Sequence, residues 1–148
     1  MSTAIQSRIL PAFLLAALLA VPALPAQAAP SADGDWLVFT LASRHHKRGY
    51  NERNWGIGAE YGLTEDWRAA AGTYRNSFSQ QTFYAGAMYL PLRYGDWRIG
   101  GAVLAATGYD QSPVFLPFPV ISYERKEWGF NLGPILPTVV GVQIKFRY

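Results

Sequence analysis

Residues 139–148 constrain the fold more than any other stretch of the chain. Val140, Val142, Ile144, Phe146 and Tyr148 are apolar at period two, and Gly141, Gln143, Lys145 and Arg147 alternate with them. That spacing puts the two sets on opposite faces of an extended strand, where a helix would scatter them. The chain then stops on an aromatic residue. An apolar outer face, a polar inner face and aromatics at the ends are the marks of an outer-membrane barrel strand. A soluble β-sandwich or lipocalin-like barrel also alternates, but a sandwich has no reason to finish on an exposed aromatic residue.

The same pattern recurs upstream. Runs rich in Val, Ile, Tyr, Phe, Trp and Gly cover 35–43, 54–62, 67–75, 82–90, 97–106, 114–123 and 128–132, separated by polar turns such as Thr64-Glu65-Asp66 and Gly95-Asp96. In the second run Trp55, Ile57, Ala59 and Tyr61 face one way and Gly56, Gly58 and Glu60 the other. With the last segment this predicts an all-β fold, an eight-stranded antiparallel outer-membrane barrel with both termini periplasmic. A membrane strand takes roughly nine to eleven residues, so eight strands use about 80. A bore of that size holds side chains or one small ligand, which excludes a porin.

The first residues do not belong to that barrel. Arg8, the ten-residue apolar run from Ala12 to Val21 and Ala26-Gln27-Ala28 have the anatomy of a cleaved secretory signal peptide. The expected division is therefore 1–28 as signal peptide and 29–148 as one barrel domain. Removing Arg8 lowers the basic count from 13 to 12 against 10 acids, so the formal charge falls from +3 to +2. So small and scattered a charge gives no expectation of nucleic-acid binding. The chain has no cysteine, and its two histidines are adjacent. Thiol chemistry and disulfides are thus excluded, and no metal site or soluble cofactor is expected. Export without disulfides points to a bacterial envelope.

Two segments then carry the chemistry. In the first and sixth strands apolar residues occupy both faces (Trp36, Val38 and Ala42 against Leu37, Phe39 and Leu41; Phe115, Leu116, Phe118, Val120 and Ile121). This predicts a dry internal slot wide enough for one hydrocarbon chain. With periplasmic termini, the first strand delivers Ser43, Arg44, His45 and His46 to the external rim, loop 47–53 follows, and the third strand leads to a second external loop at 76–81. A histidine and a serine thus meet at one rim, the minimum set for activating a hydroxyl toward an acyl group.

Tyr50-Asn51-Glu52-Arg53-Asn54-Trp55-Gly56 resembles a segment of the outer-membrane lipid A palmitoyltransferases (PagP type). Similarity continues through Tyr74-Arg75-Asn76-Ser77, Ala85-Gly86, Leu116-Pro117-Phe118-Pro119-Val120 and Gly133-Pro134. The resemblance implies a monomeric barrel that moves an acyl chain from a phospholipid to lipid A. It makes His45 the base and Ser77 the reactive hydroxyl, and sets Asn76 where the family has Asp. An amide cannot stabilise an imidazolium, so Glu52 or Asp110 is the candidate source of charge. Pro117, Pro119, Pro134 and Pro137 are placed to keep a lateral gate between the sixth and seventh strands. At the family's other gap, Asn54 and Thr40 stand where prolines do. Met88 falls on the family's slot-floor glycine and implies a shorter acyl chain. Positive charge at Arg44, Lys47, Arg48, Arg53 and Arg75 suits the phosphates of lipid A. The family's N-terminal amphipathic helix has no room between Ala29 and Asp35. Two alternatives stand beside transfer: a non-catalytic lipid-binding or structural barrel, and a lipid A deacylase built on Ser77, His45 and Glu52.

Overall fold

The computed structural model describes residues 35–135 and 139–148. The proposed signal peptide, 1–28, and Pro137 lie outside them. Eight strands, β1 (Trp36–His45), β2 (Arg53–Gly62), β3 (Trp67–Arg75), β4 (Gln81–Tyr94), β5 (Trp97–Ala106), β6 (Val114–Glu124), β7 (Trp128–Ile135) and β8 (Val139–Arg147), form an all-β structure. Each pairs antiparallel with the next, and β1 pairs with β8 to close the barrel. Closure rules out the sandwich.

The barrel has a loop end, with connections 46–52, 76–80 and 107–113, and a turn end, with 63–66, 95–96 and 125–127. Tyr148 N–H donates to Asp35 O at 3.3 Å, so both ends of the described chain meet at the turn end.

Alternation sorts the side chains as the last strand predicts, and the polarity is the reverse of a soluble barrel. Outside, Trp55, Phe83 and Phe115 are 66%, 61% and 59% exposed, while inside Lys145 and Glu60 are 0% and 2% exposed. An exterior of large apolar side chains around a charged interior fits an outer-membrane protein. The aromatic pairs Trp67–Tyr89 and Trp97–Tyr123, with Trp128 and Phe130 beside the second, gather toward the turn end.

The bore is filled differently along its length. Near the turn end Arg68 bridges Glu60 at 3.0 Å and pairs with Glu124, which also takes Lys145 Nζ at 2.7 Å and Arg98 Nε at 3.1 Å. Lys145 Nζ also reaches Glu60 at 3.1 Å, and Asn131 donates to the same carboxylate. Buried charges persist only when paired and hydrogen-bonded in this way. Beside this plug lies an apolar cluster of Ala70, Met88, Leu90, Ala102 and Val120, against which Leu104 and Phe118 pack.

Three departures from simple strands matter. A bulge between Thr40 and Ala42 shifts β1 against both neighbours. It keeps Thr40 on the inner face with Gln143, which donates to it at 3.1 Å, and turns Ala42 out beside Val142. The apolar set expected on the inner face of the first strand therefore stops at Val38. A second register shift between Tyr89 and Leu92 accommodates Pro91 and lets β4 run on to Tyr94, beyond the expected stop at Leu90. Third, β6 and β7 pair only from Ile121↔Leu132 to Glu124↔Gly129. From Val120 toward the loop end the two strands have no ladder, and Pro117, Pro119 and Pro134 sit along this seam. Proline has no N–H to donate and cannot extend pairing there. At β1–β2 the ladder persists through Ala42↔Arg53, and Ser43 N–H donates to Glu52 O at 3.0 Å. The wall therefore has one open seam among the described residues, between β6 and β7.

Candidate functional site

A cavity of about 900 Å³ occupies the upper bore, from the Glu60–Asn131 plug to the loop end. Its middle is apolar, lined by Val38, Ala70, Met88, Leu104, Leu116 and Phe118. Leu132 and Gly133 line it from the far side of the β6–β7 seam. This volume falls in the range of sites that enclose a whole small ligand.

At its mouth Ser77 Oγ and His45 Nε2 are 2.8 Å apart. The bulge in β1 decides how His45 gets there, because it turns Ser43 and His45 inward and leaves Ala42 and Arg44 on the other face. The imidazole stacks on Tyr50 at 4.8 Å and 20°, and Tyr50 meets Phe78 edge-on at 5.7 Å. Phe78 in turn packs edge-on to Tyr109, whose hydroxyl lies 2.9 Å from that of Tyr74. His45 Nδ1 is buried and has no hydrogen-bond partner among the described residues.

The two loops are latched by amides. Asn51 N–H donates to Ser77 O at 2.8 Å, and Asn51 Nδ2 donates to Asn76 O at 3.1 Å. Asn54 Nδ2 donates to Arg75 O at 2.8 Å, while its Oδ1 accepts from Ser43 Oγ at 2.6 Å. Asn54 thus ties β1, β2 and β3 together at the position where the resembled family has proline. Sequence reasoning assigned Asn51 and Asn54 no such work; the segment Tyr50–Gly56 was the only signal for it.

Asn76 is fully buried, but it does not touch the imidazole. Its Oδ1 accepts from Phe78 N–H at 2.9 Å and Gln80 N–H at 3.0 Å, and its Nδ2 donates to Gly108 O at 2.7 Å. All these contacts shape loops 76–80 and 107–113. Glu52 sits at the rim, where Oε1 accepts from His45 N–H at 3.1 Å and Oε2 pairs with Arg44 at 3.1 Å. The His45 backbone N–H, with Arg44 adding to it, holds the Glu52 carboxyl below its ordinary value. Asp110 is exposed in loop 107–113. Neither carboxylate is hydrogen-bonded to Nδ1. Arg53 and Arg75 are exposed on the outer face at the loop end, Arg75 donating to Ser79 O at 3.2 Å. Met88 is buried in the apolar cluster, at the level of Arg68 across β3–β4. Among the described residues no group of three or more His, Asp or Glu is placed to hold a metal ion.

The arrangement is a hydroxyl and an imidazole at the mouth of an apolar cavity. It can present a thioester or ester carbonyl to an activated oxygen while the chain behind it is kept dry. No protein-family model matches this chain, and no curated protein matches it.

Proposed function

We propose that the protein is an outer-membrane acyltransferase, a divergent relative of the lipid A palmitoyltransferases, that moves an acyl chain from a phospholipid to lipid A. The reading rests on one observation, the 2.8 Å contact between Ser77 Oγ and His45 Nε2 where the apolar cavity opens. In this reading the donor's acyl chain lies in the cavity, with its ester carbonyl at Ser77. His45 Nε2 accepts the hydroxyl proton as the oxygen attacks and returns it to the departing lysophospholipid, leaving an acyl-serine. It then takes the proton of a lipid A hydroxyl as that oxygen attacks the acyl-serine, and gives it back to Ser77 Oγ as the new ester leaves. The apolar lining excludes water from the chain and so disfavours simple hydrolysis.

The open β6–β7 seam supports sideways passage of lipid between bilayer and cavity. Arg53 and Arg75, with Arg44, Lys47 and Arg48, would meet the phosphates of lipid A in the outer leaflet. Both termini are then periplasmic, and the loops external. The unpartnered Nδ1 favours a second reading, a barrel that binds lipid without transferring it, because no carboxylate among the described residues is hydrogen-bonded to the imidazole. Mass spectrometry of lipid A from cells with and without the protein separates the readings. Transfer adds one acyl mass, a non-catalytic barrel leaves the mass unchanged, and a deacylase removes one.

A further inference from the structure

The turn end carries a second pocket, separate from the chamber of His45 and Ser77. It encloses about 280 Å³ between turn 95–96, turn 125–127 and the end of β8. Five of its side chains are cations, Arg93, Arg98, Arg125, Lys126 and Arg147, against the two carboxylates of Asp96 and Glu124.

Those carboxylates are already shared. Asp96 pairs with Arg125 at 3.2 Å, and Glu124 takes Arg98 at 3.1 Å as well as Arg68 and Lys145 from the plug. Arg93 is held from outside the pocket by Asp66 at 2.8 Å. Lys126 and Arg147 have no carboxylate partner among the described residues. The Arg147 guanidinium lies 4.7 Å above the Trp36 ring, and its Nε is buried without a hydrogen-bond acceptor. Trp97, Tyr123 and Trp128 cluster on the outer wall beside the same turns. In a membrane barrel such a cluster marks the headgroup layer.

We propose that this pocket binds a phosphoryl group, with Lys126 and Arg147 as its principal donors. Guanidinium groups from β4, β5 and β8 and the Lys126 ammonium from turn 125–127 line one pocket, a donor set that suits a tetrahedral oxyanion. The group reaches the pocket as a phospholipid headgroup or as free phosphate. Nothing in the proposal depends on acyl transfer at the opposite end.

The test is calorimetric titration of the full chain, folded in a maltoside detergent, with inorganic phosphate and separately with monomeric dihexanoylphosphatidylglycerol. At least one probe is expected to bind saturably, and Lys126→Gln and Arg147→Gln each to weaken it by roughly tenfold or more. Arg147→Lys is expected to weaken it less, and Gln111→Ala, exposed in loop 107–113 at the other end, to leave it unchanged. Tighter binding of the lipid assigns the site to headgroups, and equal binding assigns it to phosphate itself. Lys126 is exposed, so its variant still carries the test if Arg147→Gln fails to fold. Saturable binding of neither probe, or wild-type affinity in Lys126→Gln, would overturn the proposal.

Discussion

At the scale of single residues, the site is held more by amides than by charges. His45 meets Ser77 because Asn51 and Asn54 bind the loop before β2 to the loop after β3. Asn76 is the residue whose role could not be read from the chain. Its likeness to a family position suggested a partner for the imidazole, whereas three backbone groups engage its side-chain oxygen twice and its amide nitrogen once. An aspartate there could not donate to Gly108 O. Asn76→Asp is therefore expected to cost about 1–3 kcal/mol, the range for a buried acceptor left unsatisfied, and to bring no gain in activity. Urea unfolding in detergent measures the first, and lipid A modification the second. Glu52 gives a pH signature. Its folded value lies below the ordinary carboxyl value of about 4.3, so its hold on the His45 amide is complete above that value. The hold is lost as pH falls through the lower folded value. The exchange protection of that amide should fall in acid, and should lose this pH dependence in Glu52→Gln.

At the scale of elements, period-two alternation located all eight strands, because one face of each meets a different environment from the other. What it could not locate were the places where the period breaks. The bulge at Thr40–Ala42 turns His45 toward the serine, and the shift at Tyr89–Leu92 carries β4 past a proline. Bulges arise from pairing with a partner strand, and no single segment encodes them. The gap between the sixth and seventh strands was expected only from the family resemblance; Pro117, Pro119 and Pro134 lie where the β6–β7 ladder is absent, whereas Pro91 sits inside a ladder that continues past it. Met88 belongs to β4, lines the cavity and packs with Ala70, Leu90, Ala102 and Val120. Met88→Gly should extend the chamber downward and lengthen the acyl chain transferred, at a stability cost of about 2–5 kcal/mol. An unchanged chain-length profile in lipid A would contradict Met88 as the floor.

At the scale of the whole molecule, the barrel divides into a charged plug, an apolar chamber and an aromatic-roofed mouth. The chamber was anticipated from the apolar runs of the first and sixth strands, but β3, β4 and β5 supply as much of its lining. The plug was not anticipated. Glu60, Arg68, Arg98, Glu124 and Lys145 lie on five different strands, and only closure of the barrel brings them together. Lys145→Met should leave Glu60 and Glu124 under-compensated and cost about 3–5 kcal/mol, the penalty for breaking a buried ion pair. Denaturant unfolding followed by tryptophan emission would report it. The plug closes the turn end, so any lipid must enter through the mouth or the seam, and the chemistry is confined to the loops. The most direct measurement of that claim is the lipid A mass spectrum of cells carrying the wild-type protein, His45→Ala or Ser77→Ala. One added acyl mass with the wild type, reduced by roughly a hundredfold or more in either variant, is the predicted result. An unchanged mass with the wild type, or an added mass that survives in both variants, would contradict acyl transfer by His45 and Ser77.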